Sequence, residues 1–507
     1  MLNRTIKLIV ELINKATVYD VCIKSPLQPM PLLSDRVNNT VLLKREDLQP
    51  VYSFKLRGAY NKVSQLSESE KQNGVVASSA GNHAQGVAYS AQKLGLSATI
   101  VMPVTTPDIK VDAVKRCGAN VVLYGDTYDE AFDRAQWLST QENATFIHPY
   151  DDPVVIAGQG TIAPEILAQC ADVDYIFIAV GGGGLIAGIA AYIKSVNPTV
   201  KIIGVEPDNS ACMTAALKMN KRVCLDHVGI FADGVAVKQA GKHAFEIATQ
   251  CIDDMVVVST DEICAAIKDI FEETRVISEP AGALATAGLK AYVRSQNISH
   301  QTLVTINCGA NTNFDRLRHI AERAEIGENK EAILSVAIPE QPGSFKVFCD
   351  LLGKRSITEF NYRYNTDKTA HIFVGVGLSN GDTDRQALLS LLNESGYDSV
   401  DLTDNDVAKL HIRYMVGGHA TGVENEQLFR FQFPERPGAL REFLTTLGSR
   451  WNISLFHYRN HGAAYGRVLV GIQVPDSEMA DFRELLDAIN YTYFDETDNI
   501  AWQLFLK

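Results

Sequence analysis

A lysine near the predicted start of a helix is the first residue whose type and setting suit covalent chemistry. Lys55 lies in SFKLRG (residues 53–58), shortly after the strand-like run VLLKRED. Ser53 can cap a helix that runs through LRGAYNKV and that would hold Lys55 in its first turn. The positive end of a helix disfavours the protonated amine and so favours a nucleophile. An ordinary surface lysine is the alternative that this segment alone leaves open.

Two further segments offer backbone N–H groups to an anion. SSAGNH (78–83) lies between the strand-like GVVAS and a helix expected to begin near Ala84. N–H groups at a helix start can bind a carboxylate, and Asn82 adds a neutral donor. GGGGL (181–185) follows the strand-like YIFIAV, and consecutive glycines can turn several N–H groups onto one phosphate. For the first segment an ordinary strand-to-helix turn stays open, and His83 is expected to pack or cap rather than to catalyse.

The glycine run also fits a second interpretation. Gly182, Gly184 and Ala187 have the spacing of a dinucleotide fingerprint, and Glu206 ends the next strand about 20 residues on, where it could bind an NAD ribose. A Walker phosphate loop is excluded because no Gly-Lys-Ser/Thr follows. A fourth segment, TINCGAN (305–311), ends a strand in Cys308, which could equally be a small buried hydrophobic residue.

The elements that must position these segments alternate between residues 40 and 311. Short β-branched runs predict strands, and stretches such as AQGVAYSAQKLG and AGIAAYIKSV predict helices between them. This alternation is typical of parallel sheets covered by helices on both faces. Ligands of such sheets bind beyond the carboxyl ends of the strands, where all four segments lie. The predicted strands are VLLKRED, GVVAS, ATIVMP, NVVLYG, YIFIAV, KIIGVE and TLVTIN.

Composition narrows the class of protein. The 507 residues, 46% of them hydrophobic, suit about three folding units with large cores. The formal charge of −13 argues against nucleic acid or an anionic membrane as a partner. The nine cysteines form no C-x-x-C pair and no metal-type spacing, so we expect reduced thiols, no metal site and a cytoplasmic location. No signal peptide or membrane span is expected.

The C-terminal third contains an internal repeat. After the charged helix and linker FDRLRHIAERAEIGENKE, IPEQPGSFKVF and FPERPGALREF align at an offset of 95 residues, which pairs Pro339 with Pro434, Gly343 with Gly438 and Phe348 with Phe443. The strand-like ITEFNYRY and ISLFHYRN follow in the two copies. Each copy reads as strand, Pro-Gly turn, helix and strand, which predicts two similar α+β modules of about 80 residues.

Taken together and in order, these segments resemble the threonine dehydratases (threonine deaminases) of the fold-type II pyridoxal-phosphate (PLP) enzymes. The resemblance covers nearly the whole chain and includes SEPAG (278–282) and the double repeat. It implies an α/β fold like that of the tryptophan synthase β chain, with two parallel-sheet subdomains, followed by two ACT-like domains. The expected bounds are residues 1–327, 328–415 and 424–507. The NAD interpretation, that of an oxidoreductase with an amino-acid sensor tail, explains only one of the segments.

By position, the resemblance implies roles for individual residues. Lys55 would form the Schiff base with PLP, Asn82 would hydrogen-bond the ring hydroxyl oxygen, and Cys308 would face the pyridine nitrogen. Many members of the family have Ser at this position. A thiol, like a hydroxyl, is not a carboxylate, and the absence of a carboxylate at the pyridine nitrogen favours β-elimination over transamination. The cofactor phosphate would lie on Gly181, Gly182, Gly183, Gly184 and Leu185, and the carboxylate of L-threonine on Ser78, Ser79, Ala80, Gly81 and Asn82.

The implied reaction converts L-threonine to 2-oxobutanoate and ammonia, with the freed Lys55 amine taking the Cα proton. Serine racemases carry a serine immediately before Gly-Asn-His as a second acid/base, and Ala80 has no transferable proton there. The sequence therefore favours dehydration over racemisation. A catabolic serine/threonine dehydratase is the alternative within the class. Glu206 could line a cation site as in some relatives, but no partner ligands can be named.

The tail resembles paired ACT-like regulatory domains, which implies inhibition by L-isoleucine, the end product of the pathway. Inhibition from a distance requires that isoleucine bind two global states unequally. L-valine as an opposing activator and a homotetramer are further implications, and a purely oligomerising tail is the alternative. The expected effector walls are Phe360, Tyr362 and Arg363 in the first copy and Phe456, Tyr458 and Arg459 in the second.

Overall fold

The computed structural model describes residues 4–339, 344–353, 355, 357–361, 369–414, 424–434, 450–459, 465–489 and 491–506. The chain divides into two compact units, Met1–Ala324 and Glu325–Lys507. In the described part of the chain, no helix has the length and apolar character needed to cross a membrane.

The first unit alternates strands and helices. Its strands are β1 (Leu27–Pro29), β2 (Thr40–Arg45), β3 (Val75–Ser78), β4 (Ala98–Met102), β5 (Asn120–Leu123), β6 (Thr145–Phe146), β7 (Tyr175–Ala179), β8 (Lys201–Pro207), β9 (Asp254–Val258) and β10 (Thr302–Asn307). Its helices are α1 (Arg4–Asn14), α2 (Pro31–Val37), α3 (Lys55–Ser64), α4 (Glu68–Asn73), α5 (Asn82–Leu94), α6 (Asp108–Arg116), α7 (Tyr128–Glu142), α8 (Pro153–Gly160), α9 (Ile162–Gln169), α10 (Gly184–Val196), α11 (Cys212–Met219), α12 (Lys242–Cys251), α13 (Thr260–Thr274) and α14 (Pro280–Gln296), and α15 (Leu317–Gly327) follows at the boundary of the units.

Two sheets organise this unit. The larger has the order β1-β2-β10-β7-β8-β9 and is parallel except for β1, and the smaller has the parallel order β5-β4-β3-β6. The central strands β7 and β3 are almost entirely buried, as expected where helices cover both faces of a parallel sheet. All seven predicted strands are present, and β1, β6 and β9 are additional.

The second unit contains two similar antiparallel sheets. Its elements are β11 (Glu331–Pro339), α16 (Ser344–Leu352), β12 (Ile357–Asn361), β13 (Thr369–Gly377), α17 (Gly381–Glu394), β14 (Ser399–Asp401), α18 (Asp406–Leu410), β15 (Glu426–Pro434), β16 (Asn452–Arg459), β17 (Tyr465–Gln473), α19 (Met479–Ile489), β18 (Thr492–Asp495) and α20 (Ile500–Phe505). The orders β12-β13-β11-β14 and β16-β17-β15-β18 correspond strand by strand. In the first module the predicted strand-helix-strand unit is therefore half of the module, since β13, α17 and β14 complete it. The helix predicted for the second copy lies outside the described residues.

The two modules share one hydrophobic core. Phe373 from the first module packs with Leu428, Leu469 and Trp502 from the second. The ring centroids of Phe373 and Phe505 lie 5.7 Å apart. The repeats are consequently paired within one chain.

The expected effector residues are only partly described. Phe360 lies in β12, and Phe456, Tyr458 and Arg459 lie in β16. Tyr362 and Arg363 fall outside the described residues. β12 and β16 occupy the same edge position in their respective sheets, so the repeat places these two segments equivalently.

Candidate active site

Lys55 is the first residue of α3. The preceding residue, Phe54, occupies the cap position, and Ser53 Oγ accepts a hydrogen bond from the Lys55 backbone N–H at 3.3 Å. The side-chain amine donates to Pro149 O at 3.1 Å. Burial lowers the pKa of Lys55 to about 8, although Cys308 acts in the opposite direction. About a tenth of an amine with this pKa is neutral at pH 7, far more than for an ordinary lysine, and the neutral form is the one that acts as nucleophile or base.

The tetraglycine segment leads from β7 into α10, with Gly183 at the cap in a left-handed conformation (φ +91°). The absence of side chains is sterically required: a Cβ at Gly182 would lie 2.3 Å from ring carbons of Tyr150, and one at Gly181 would lie 2.8 Å from Val235 Cα. The first N–H groups of a helix have no partner within it, so the start of α10 offers donors to an anion.

The loop between β6 and α8 joins the lysine to the tetraglycine. Pro149 accepts the hydrogen bond from the Lys55 amine, and the next residue, Tyr150, packs against Gly182. The imidazole of His148 accepts hydrogen bonds from the backbone N–H groups of Tyr150 and Asp151 at 3.2 and 2.9 Å, which fix the shape of the loop. No sequence pattern indicates a role for this loop, because it lies outside any helical or strand periodicity.

The predicted carboxylate segment runs from Ser78, the last residue of β3, to Asn82, the first residue of α5. The backbone N–H of Gly81 donates to Ser79 Oγ at 3.2 Å, and no atom lies within 4 Å of a Cβ added at Gly81. A ligand can therefore approach the backbone here. Ser78 Oγ is buried and has no hydrogen-bond partner among the described residues. Such an orphaned polar atom is expected where a polar ligand completes the site.

Asn82 is held on both sides of its amide. Its Nδ2 donates to Glu279 Oε1 at 2.5 Å, and its Oδ1 accepts from Asn311 Nδ2 at 2.7 Å. Burial and then the negative charge of Asp233 raise the pKa of Glu279 to about 7. Glu279 lies in the SEPAG segment that contributes to the family resemblance, but the sequence alone indicates no role for its carboxyl group.

Cys308 follows β10 and is buried. Its backbone carbonyl accepts a hydrogen bond from Phe54 N at 3.2 Å, which brings the end of β10 beside Lys55. Burial, with Glu279 adding to it, raises the pKa of the Cys308 thiol far above its ordinary value, so the group stays a neutral thiol. His83 is also buried and bonds Ile147 O through Nε2 at 2.8 Å; burial lowers the pKa of His83 to about 3. It packs as a neutral side chain.

Glu206 has a structural role that excludes the one considered for it. Its Oε1 accepts from Met213 N at 2.8 Å, and its Oε2 accepts from Thr214 N and Oγ1 at 2.8 and 2.6 Å. The carboxylate thus caps the start of α11 and is not free for a ribose, so the NAD interpretation is wrong. Among the described residues, no group of three or more His, Cys, Asp and Glu side chains is arranged to hold a metal ion.

These features fit PLP. The site contains the Lys55 amine with its lowered pKa, the start of α10 without side chains, and the neutral thiol of Cys308. Asn82 and the unpartnered hydroxyl of Ser78 complete it. This set provides a covalent anchor, a phosphate cradle and polar contacts for an aromatic ring.

Comparison with known proteins decides the family. The family described as "Pyridoxal-phosphate dependent enzyme" matches residues 18–309, and the "C-terminal regulatory domain of Threonine dehydratase" matches residues 322–412 and 417–506. The chain belongs to the threonine dehydratases. It is therefore a PLP-dependent threonine ammonia-lyase of fold type II with two C-terminal regulatory domains.

Individual relatives agree with this family. The chain is 54% identical to "L-threonine dehydratase biosynthetic IlvA" of Pasteurella multocida, over 96% of this chain and 95% of that protein. It is 52% identical to the Escherichia coli protein of the same name, over 97% and 96%. The mitochondrial threonine dehydratase of Saccharomyces cerevisiae is 50% identical, over 98% and 89%. These threonine dehydratases support deamination of threonine in a biosynthetic role.

Solved structures agree on the fold. The processed form of threonine deaminase isoform 2 from Solanum lycopersicum matches with a TM-score of 0.62 and 50% identity, over 63% of this chain and 88% of that one. A maize serine racemase matches with a TM-score of 0.58 and 28% identity, over 61% and 95%. Racemases and dehydratases therefore share this fold, and the residue at position 80, alanine here, bears on which reaction follows.

Proposed function

We propose that this threonine dehydratase binds PLP through Lys55 and is inhibited by L-isoleucine at its regulatory domains, as the first enzyme of isoleucine synthesis. The observation that carries the catalytic part is the Lys55 amine, whose pKa is lowered to about 8 and which donates to Pro149 O beside the tetraglycine. A lysine of this kind can exchange between a covalent anchor and a free base.

Each residue of the site has its own proposed role in cofactor binding or proton transfer. PLP, when bound, supplies the electron sink that stabilises negative charge at the substrate Cα. The amine of Lys55 takes the Cα proton, since burial lowers its pKa to about 8 and makes the neutral, basic form accessible near neutral pH. Asn82 would donate to the ring oxygen and Cys308 would meet the pyridine nitrogen as a neutral thiol. The phosphate would lie on Gly181, Gly182, Gly183, Gly184 and Leu185.

The substrate carboxylate would bind to the segment Ser78, Ser79, Ala80, Gly81 and Asn82. The open space at Gly81 and the unpartnered hydroxyl of Ser78 support this assignment. Ala80 presents a methyl group and offers no second acid or base. Position 80 therefore supplies no second group to move the Cα proton, which favours elimination over racemisation.

The test of the anchor compares Lys55→Ala and Lys55→Arg with the unsubstituted enzyme. Both variants should lose the visible absorbance of bound PLP and nearly all formation of 2-oxobutanoate from L-threonine. Arginine keeps the positive charge but cannot form the covalent link, so it controls for charge. Turnover at the original rate in either variant would remove Lys55 from this role.

The regulatory part rests on the duplicated second unit, proposed as domains at residues 328–415 and 424–507. The candidate effector-binding residues are Phe360, Tyr362 and Arg363 in the first copy and Phe456, Tyr458 and Arg459 in the second. Tyr362 and Arg363 lie outside the described residues. L-valine is the proposed opposing activator. Both effectors must bind two states of the enzyme unequally.

The regulatory test measures 2-oxobutanoate production against L-threonine with and without L-isoleucine. Sigmoidal inhibition that L-valine relieves would support the proposal. Turnover that ignores isoleucine would reduce the second unit to a scaffold and would favour a catabolic serine/threonine dehydratase. We further propose that the protein is a cytoplasmic homotetramer; light scattering on the purified protein measures the number of subunits.

A further inference from the structure

Arg57, on the first turn of α3, has each nitrogen of its guanidinium engaged inside the protein. Its side chain is fully buried. Nε and Nη2 donate to the two oxygens of Glu46 at 2.8 and 2.7 Å, and Nη1 and Nη2 donate to the two oxygens of Glu165 at 2.6 and 3.1 Å. Nη1 also donates to Thr161 Oγ1 at 3.1 Å, and Nη2 to Ile23 O at 3.2 Å.

The two carboxylates belong to different elements. Glu46 follows β2, and Glu165 lies on α9, so Arg57 ties α3 to both. Lys44 Nζ also pairs with Glu165 at 2.7 Å, and two cations therefore meet two carboxylates. Burial alone would raise the pKa of Glu46, but the Arg57 guanidinium outweighs burial and holds it below the ordinary value. Glu46 and Arg57 are thus both charged and in contact inside the protein.

The backbone of α3 is equally constrained. A Cβ at Gly158 of α8 would lie 2.6 Å from Arg57 O, so the two helices are in direct backbone contact. The Lys55 amine, two residues earlier, reaches Pro149 O, which lies just before α8. The register of α3 on α8 therefore sets the position of the Lys55 amine.

We propose that Arg57 is a positioning residue, whose paired bonds to Glu46 and Glu165 fix the register of α3 and with it the place of the Lys55 amine. Arg57 touches neither substrate nor cofactor in this role. The inference rests on the proposed role of Lys55. A buried ion pair often adds little net stability over apolar side chains of similar volume, so stability alone gives a weak reason for building this cluster.

The experiment compares three variants of the full-length enzyme loaded with PLP. Arg57→Met removes both ion pairs, Arg57→Lys keeps the charge with fewer donors, and Lys44→Met removes a cation from the same cluster without touching α3. For each variant, kcat and KM for L-threonine, the visible absorbance of bound PLP and the thermal midpoint are measured. Lys55→Ala runs in parallel, and absorbance retained there would contradict the role of Lys55 independently of Arg57.

We expect Arg57→Met to lower kcat about 100-fold, because a misplacement of about 1 Å can cost that much. KM should change less than threefold, since the proposed carboxylate loop lies on another segment, and the absorbance should shift. Arg57→Lys should recover at least tenfold of the lost kcat. Lys44→Met should lose thermal stability but keep kcat within threefold.

The proposal would be overturned if Arg57→Met and Lys44→Met lowered the thermal midpoint equally and also lowered kcat equally, because the cluster would then act only on stability. If Arg57→Met does not fold, Glu165→Gln against Gln169→Leu makes the same comparison. Glu165→Gln weakens the bonds to Arg57, whereas Gln169 contacts Lys44 alone within the cluster at 3.1 Å. An equal effect of these two substitutions on kcat would likewise overturn the proposal.

Discussion

Asn82 Nδ2 donates a hydrogen bond to Glu279 Oε1 across 2.5 Å, which joins the start of α5 to the start of α14. Because Asn82 Oδ1 accepts from Asn311, the orientation of the amide is fixed, and one of its two N–H groups stays available. That single remaining donor suits a bond to the ring oxygen of PLP. The carboxyl group that holds it is half-ionised near neutral pH, since its pKa is raised to about 7.

Glu279→Gln should change how stability depends on pH in the PLP-free protein. The folded pKa of Glu279 lies above its ordinary value of 4.5, so between 4.5 and about 7 the unfolded chain releases its proton before the folded one. Stability therefore falls as pH rises through this window. Glu279→Gln lacks this loss. The free energy of unfolding of the variant minus that of the unsubstituted protein should therefore increase by up to about 3 kcal/mol from pH 4.5 to pH 8.

Urea unfolding at several pH values measures this difference, and Glu272→Gln, at an exposed carboxylate of α13, controls for the loss of one charge. A constant difference between the variant and the unsubstituted protein across this pH range would contradict the raised pKa of Glu279.

The lowered pKa of Lys55 predicts the pH dependence of PLP uptake. Only the neutral amine reacts, so the uptake rate should rise about tenfold per pH unit below pH 8 and level off above it. Stopped-flow absorbance on the PLP-free protein measures the rate. A rate that keeps rising to pH 10, as for an ordinary lysine, would show that burial does not depress this pKa.

Gly182→Ala should destabilise the protein by about 1–3 kcal/mol and weaken PLP binding, because the new Cβ meets the ring of Tyr150 at 2.3 Å. Tyr150→Ala in the same chain removes that ring and should restore part of the stability. Gly81→Ala, which has open space around its Cβ, is the steric control for stability. Calorimetry and PLP titration test the pair; a double variant no more stable than Gly182→Ala would mean that Tyr150 is not the obstacle.

Trp502→Ala tests the shared core of the regulatory modules. Trp502 is fully buried in α20 among residues of both modules, so its loss should cost about 3–5 kcal/mol in that unit. Sensitivity to isoleucine should fall sharply while the turnover of threonine without effector stays within twofold. Ile500→Ala, at a 40% exposed position of the same helix, is the matched control. Unchanged inhibition in Trp502→Ala would separate the effector sites from this core.

Most of the catalytic fold could be predicted from the sequence, because its strands are continuous apolar runs bounded by glycine or polar residues. The strands that escaped prediction are short or irregular. β6 has two residues, β1 has three and ends in Pro29, and β9 lies at a sheet edge with mixed exposure. Periodicity needs more residues than β1 and β6 contain, whereas the mixed exposure of β9 leaves no clear apolar pattern.

The site was predictable only where a motif carries it. Lys55 and the glycines stand in recognisable segments, whereas the roles of Pro149 and Tyr150 depend on contacts between residues distant in the chain. Glu206 shows the opposite error: its spacing matched a dinucleotide fingerprint, but three hydrogen bonds to the start of α11 occupy its oxygens. Spacing alone does not reveal which local partner a carboxylate has.

The adjacency of Pro149 and Tyr150 makes the lysine and the glycine segment mutually dependent. A single planar peptide bond joins Pro149, whose carbonyl accepts the hydrogen bond from the Lys55 amine, to Tyr150, whose ring lies against Gly182. The backbone has only two soft torsions per residue. An anion on the glycines that shifts the backbone of Tyr150 would shift this carbonyl with it, whereas rotation of the ring about χ1 would not. We therefore expect inorganic phosphate to affect the reactivity of Lys55 when it shifts this backbone, so the buffer anion becomes a variable in any measurement of PLP uptake.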